Sequence, residues 1–159
     1  MGDKVKLKVL LRGKPFRPTY GLVGYSTVVF IALDDGKTIL YDCGSKICAL
    51  QIKEALKIEG LMTEVITHVV ISHLHFDHVG NLPLFSNAEI LLSETEWESA
   101  NQTPDEWHSI QTLAYLEKRG NLRLVKEGDI ISEEVSVMEL PGHTPRLIGL
   151  CCGAETILC

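Results

Sequence analysis

Val69-Val70-Ile71-Ser72-His73-Leu74-His75-Phe76-Asp77-His78-Val79-Gly80-Asn81 is the stretch whose reading decides the fold. Its first three residues are β-branched and apolar without alternation, the pattern of a short strand covered on both faces. Three histidines and an aspartate then fall within six residues. Imidazole nitrogen and carboxylate oxygen are ligands that zinc and similar divalent ions take. A cluster directly after a strand lies in the loop at its carboxyl end, where open α/β sheets place their active sites. Without an ion to share, such crowded polar groups would need other partners. The stretch therefore predicts a metal site. His68 and His108, each alone in sequence, are expected to be ordinary surface or hydrogen-bonded histidines.

On the amino-terminal side, residues 4–11 alternate charged and apolar side chains like a half-exposed strand. Residues 13–24, with Pro15 and Pro18, read as a loop. Residues 28–33 and 38–42 read as strands joined by an Asp34-Asp35-Gly36-Lys37 turn. Residues 45–59 form a helix stopped by Gly60, with Cys48, Ile52, Ala55 and Leu56 facing the sheet. On the carboxyl side, residues 79–85 read as a short helix and residues 90–93 as another buried strand. Ser93-Glu94-Thr95-Glu96 is a capping box opening a helix. Thr103-Pro104-Asp105-Glu106 repeats that logic and predicts a second helix to about Lys118, with Trp107, Ile110, Leu113 and Ala114 inward. Short strands at 122–125, 135–140, 147–152 and 156–159 follow. Strands with helices between them, then a hairpin-rich run, give an α/β protein with mixed sheets.

With 159 residues, the chain has the length of one domain with a sizeable core. Its 45% apolar and 23% charged content is that of an ordinary globular protein. A net charge of −6 argues against a nucleic-acid surface, which carries a basic face. No apolar run approaches the roughly 18 residues of a membrane span. The start, Met1-Gly2-Asp3-Lys4-Val5-Lys6, has no apolar signal core, so a cytoplasmic protein is expected. Five cysteines at unpatterned spacing suggest reduced thiols rather than a disulfide framework.

The run His73-x-His75-x-Asp77-His78 resembles the signature of the metallo-β-lactamase superfamily, the binuclear metallohydrolases. Tyr41-Asp42-Cys43-Gly44 is similar to that family's strand-ending Asp-x-Gly, and Pro141-Gly142-His143-Thr144-Pro145 to its second histidine loop. The resemblance runs from about Leu7 to Cys159. It implies an αββα sandwich, a helical layer on each side of two sheets, with the metal site at the edge where the sheets meet. It also places the loop bearing Phe16, Tyr20 and Leu22 at the rim of the site.

In the family, the strand matching residues 156–159 leads into an aspartate that bridges two metals, and a last histidine comes from the second half of the fold. Neither is present in this sequence. The expectation is thus a single domain over 1–159, incomplete at the C-terminus, that self-associates or joins its missing half. His73, His75 and His143 are the ligands the resemblance implies for a first metal, and Asp77 and His78 for a second, weaker one. Zinc, manganese, iron or cobalt would suit such ligands.

The chemistry implied is hydrolysis. Metal lowers the pKa of bound water, the resulting hydroxide attacks an ester or lactone carbonyl, and the metal stabilises the oxyanion. Asp77 would orient the hydroxide and assist the leaving group, and Asp42 would hold a ligand loop in place. The run 72–81 and the acidic, aromatic helix Glu94-Thr95-Glu96-Trp97-Glu98-Ser99-Ala100 look most like the lactonase branch, whose known members cleave homoserine lactones or related esters. The alternatives are a thioesterase of the glyoxalase II type, a nuclease of the same superfamily, or an inactive metal-binding half-module.

Overall fold

The computed structural model describes residues 5–16, 23–153 and 155–157. Its strands, in chain order, are β1 (Val5–Leu11), β2 (Lys14–Phe16), β3 (Val23–Tyr25), β4 (Val28–Leu33), β5 (Thr38–Tyr41), β6 (His68–Ile71), β7 (Glu89–Ser93), β8 (Leu122–Val125), β9 (Ile130–Ser132), β10 (Val135–Glu139), β11 (Ile148–Cys152) and β12 (Glu155–Ile157). The helices are α1 (Ala49–Ile58), α2 (Phe76–Val79), α3 (Glu94–Gln102) and α4 (Ile110–Arg119).

Six strands form one mixed sheet in the order β1-β4-β5-β6-β7-β8, and β12-β11-β10-β9 form a second, antiparallel sheet. In the large sheet β5, β6, β7 and β8 run parallel, so their carboxyl ends open on one edge. Side chains alternate between two cores, as the pleat requires. Val28, Phe30, Val69, Ile71, Ile90 and Leu92 point towards Ile52 and Leu56 of α1, Ala100 of α3 and Leu116 of α4. Val29, Ile31, Ile39, Tyr41, Val70 and Leu91 point the other way, into Val135, Val137, Ile148 and Leu150 of the small sheet. Coverage on both faces is why Val69 to Ile71 is apolar without alternation.

The layers are therefore helix, sheet, sheet. All four α-helices contribute to or cap the outer core of the large sheet, and the second helical layer implied by the resemblance is not found among the described residues. Several boundaries differ from expectation. The segment 13–24 is not all loop: β2 and β3 pair as a small hairpin, with Pro15 opposite Gly24. Tyr20 and Leu22 lie outside the described residues. The helix expected at 79–85 starts earlier, as α2, and gives way to a 3-10 turn at Leu82–Leu84, where Pro83 supplies no amide hydrogen. β9 went unread because only three residues form it.

The expected proline-led start of α4 is also displaced. Ser109 caps the helix, its hydroxyl accepting from the Thr112 amide at 3.3 Å. The segment before it is held elsewhere: Phe76 N donates to Trp107 O at 2.9 Å, tying this loop to the histidine stretch. Ile110, expected inward, is 75% exposed. Among the described residues no helix is long and apolar enough to cross a membrane.

Candidate metal centre

The loop leaving β6 is built around Asp42, which follows β5 and is fully buried. Its backbone is left-handed, at φ 57°, a conformation that aspartate tolerates better than most residues. One carboxylate oxygen accepts from Ser72 N at 2.8 Å. The other accepts from Ser72 Oγ at 2.8 Å and lies 2.7 Å from His78 Nδ1. Further bonds fix the loop from below. Cys43 N donates to His78 O at 2.9 Å and Gly80 N to Gly44 O at 2.7 Å. Asn81 Nδ2 bridges Cys43 O and Ser45 O at 2.8 and 2.6 Å.

On this frame His73, His75 and His143 converge, one ligand nitrogen from each lying within 4.8 Å of the others. His143 comes from the small sheet, in the loop between β10 and β11. Leu140 N bonds Leu147 O at 2.8 Å to close that loop, and Ile148 N bonds Ser72 O at 3.0 Å to dock it on the histidine stretch. Ring centroids stand 4.5 to 5.2 Å apart within the trio. His73 is fully buried, and its Nε2 has no hydrogen-bond partner. A buried nitrogen without a partner is costly unless something occupies its lone pair. Burial, and then the charges of His78, His75 and His143, push the His73 pKa down to about 2, so the ring is neutral and able to donate that lone pair. Three imidazoles are a donor set that fits a divalent ion.

His78 and Asp77 are not part of the group that could hold one ion, although the His78 ring centroid lies 4.0 Å from that of His73. With Nδ1 held by Asp42, His78 turns Nε2 towards Asp77 Oδ2, 3.8 Å away. Burial works against charge on His78, but Asp42 outweighs it and raises the pKa. Cys43, Cys48, Cys151 and Cys152 form no disulfide; burial pushes the Cys43 pKa well up, and its thiol donates to His78 O at 3.2 Å.

Four residues of the surroundings escaped the reading of the sequence. Glu96, expected to close a capping box, instead turns its Oε1 to the Leu74 amide at 2.9 Å and supports the ligand loop, although Ser93 does cap α3. Asp105 places Oδ2 3.5 Å from His75 Nε2. Trp107 stacks on Phe76. His108, expected to be ordinary, pairs with His75 across an antiparallel bridge and has a buried Nε2 without a partner. His68 does behave as an ordinary residue, bonded through Nδ1 to Thr67 Oγ1 at 2.8 Å. The four lie 18 or more positions from His78 in sequence, so no local spacing points to them.

The fold and site together define an α/β two-sheet sandwich with a histidine trio that could hold a metal ion at its edge. The chain belongs to the Metallo-beta-lactamase superfamily, whose family profile matches residues 21–158. Among curated proteins it is 32% identical over 113 residues to metallo-beta-lactamase domain-containing protein 1 of Xenopus laevis, covering 71% of this chain and 42% of that protein. It is 34% identical over 96 residues to an N-acyl homoserine lactonase of Bacillus cereus, covering 60% of this chain and 36% of that enzyme. The chain thus spans less than half the length of either curated relative. In fold it is similar to a metallo-beta-lactamase-like protein of Thermotoga maritima, with a TM-score of 0.82 and 24% identity over 96% of this chain and 74% of that one. It also resembles a Bacillus thuringiensis AiiA variant with N-decanoyl-L-homoserine bound at the active site, with a TM-score of 0.70 and 19% identity over 93% and 69% of the two chains.

Proposed function

We propose that this chain carries the metal-binding half of a hydrolase that opens ester or lactone carbonyls. The observation that carries the reading is the convergence of His73, His75 and His143 around a buried, unpartnered His73 Nε2. Lactonase relatives sharing about a third of the matched residues support the choice of substrate class. A divalent ion held by the trio would acidify water to near neutrality and polarise the carbonyl. The remaining work falls to the chain's own groups. Asp77, half-buried beside His78, accepts a proton from the attacking water and later returns it to the leaving oxygen. Asp42 holds His78 and Ser72, so the loop keeps one shape as charge develops. Among the described residues Asp77 and His78 belong to no group of three that could hold an ion, so a second ion would bind more weakly than the first.

Metal analysis of the purified chain, with a screen of lactones, esters and thioesters, tests this. About one zinc per chain and weak, chelator-sensitive lactone hydrolysis are expected. Asp77→Ala should remove the hydrolysis while leaving that zinc in place. Turnover unchanged in Asp77→Ala, or a preference for thioesters, would overturn the mechanism or the substrate class respectively.

A further inference from the structure

We propose that Asp105 is a positioning residue of the metal centre, its carboxylate fixing the ring orientation and the tautomer of His75. The inference deepens the hydrolase reading and rests on it, because His75 is one of the three histidines that would hold the ion.

Asp105 lies in the loop between α3 and α4, and its side chain is 49% exposed, a setting in which a carboxylate is ordinarily left to water. Here its oxygens are directed at protein groups instead. Oδ1 accepts from Trp107 N at 2.8 Å, and His108 Nδ1 lies 2.8 Å from the same atom. That leaves Oδ2 facing His75 Nε2 at 3.5 Å. Two backbone contacts pin the loop in this place: Phe76 N donates to Trp107 O at 2.9 Å, and His75 and His108 pair across an antiparallel bridge. Glu96 holds the backbone one residue before His75, accepting from Leu74 N at 2.9 Å. Backbone and ring of this ligand are thus held by two different acids.

The consequence is chemical. A neutral imidazole has one N–H and one lone pair, and the partner of one nitrogen decides which nitrogen is left for an ion. His73 follows this rule. Ser72 Oγ donates its hydrogen to Asp42 at 2.8 Å and so accepts from His73 Nδ1 at 3.0 Å, leaving the unpartnered lone pair on Nε2. His75 is the reverse case. A carboxylate only accepts, so Asp105 places the hydrogen on Nε2 and leaves the lone pair on Nδ1. The 3.5 Å separation is at the outer limit of a hydrogen bond, within the range over which an active-site contact shortens on binding.

Long-range proton–nitrogen NMR of the metal-free 159-residue chain, at about pH 8 where histidine is neutral, reads the tautomer directly. His75 should carry its hydrogen on Nε2. Asp105→Asn is the discriminating variant: its amide oxygen can still accept from Trp107 N, while its NH2 donates towards His75 Nε2. The His75 hydrogen should then move to Nδ1, and zinc affinity should fall about 10–100-fold, the loss typical when a ligand's hydrogen-bond partner is removed. His73, held by Ser72, should keep its hydrogen on Nδ1 in both chains, which reports that the fold is intact. A His75 hydrogen on Nδ1 in the wild-type chain, which needs no variant to measure, would overturn the assignment. So would a tautomer unmoved by Asp105→Asn, or equal zinc affinity in the two chains. Zinc uptake by the wild-type chain separates the two readings. The expected tautomers without uptake remove the hydrolase reading alone, and normal uptake with the tautomer unmoved removes the role of Asp105 alone.

Discussion

Asp42 shows at the scale of one residue how the site is held. It is buried in a left-handed backbone and bonded to Ser72 and His78 through both oxygens. Removing one side of a buried, hydrogen-bonded charged pair costs about 3–5 kcal/mol. Asp42→Ala should therefore lose about that much stability in urea titration and about 10–100-fold in zinc affinity; a loss within ~0.5 kcal/mol would show that Asp42 does not support the loop. The histidines set a pH dependence. Burial lowers the pKa of His68, His73 and His75 below the ordinary value of 6.5, so the unfolded chain takes up protons there before the folded one does. Their contribution to stability is full above that value and is lost as pH falls from it towards their lowered values. His78 runs the other way: its raised pKa adds stability that is full below 6.5 and fades as pH rises through the folded value. With three groups against one, the metal-free chain should have a lower urea midpoint at about pH 5.5 than at about pH 7.5. A higher midpoint at the acid end would mean that the Asp42–His78 pair dominates. The convergence of the trio was legible because His73 and His75 are near neighbours and His143 sits in its own short motif. His108 was not, since only the bridge to His75 and the fold of the loop after α3 bring it there.

At the scale of elements, α2 and the loop after β5 approach each other at Gly80. A Cβ there would meet Lys46 N at 2.5 Å and Ser45 C at 2.7 Å, both backbone atoms that cannot swing aside. Gly80→Ala is expected to cost about 1–3 kcal/mol as overpacking. At roughly 2–4 °C per kcal/mol for a chain of this size, calorimetry should record a clear drop in melting temperature; an unchanged melting temperature would mean that the two segments are free to part. Strands buried on both faces, such as β4 and β6, were readable from composition because their runs are uniformly apolar. The start of α4 was not. Two serine or threonine caps compete there, Thr103 and Ser109, and only the bond from Phe76 N to Trp107 O decides that residues 103–108 stay out of the helix. The β2–β3 hairpin is similarly quiet in sequence, because Pro15 and Gly24 signal loop while three facing residue pairs make it a ribbon.

At the scale of the whole molecule the trio joins two sheets. His73 and His75 leave the large sheet after β6, while His143 rides on the small one, docked through Ile148 N to Ser72 O. An ion bound by all three would clamp the sandwich at its edge, and anything that binds only the folded state stabilises it by mass action. Zinc at about a hundred times its dissociation constant should raise unfolding free energy by about 2.7 kcal/mol. No change in stability on zinc addition would mean that the ions bind outside the folded site. The direct test of the central claim is an anomalous difference map at the zinc edge from crystals of the zinc-loaded chain. The account predicts a peak about 2.0–2.1 Å from a nitrogen of each of His73, His75 and His143. A map with no peak there, or one whose peak lacks His143, would contradict it.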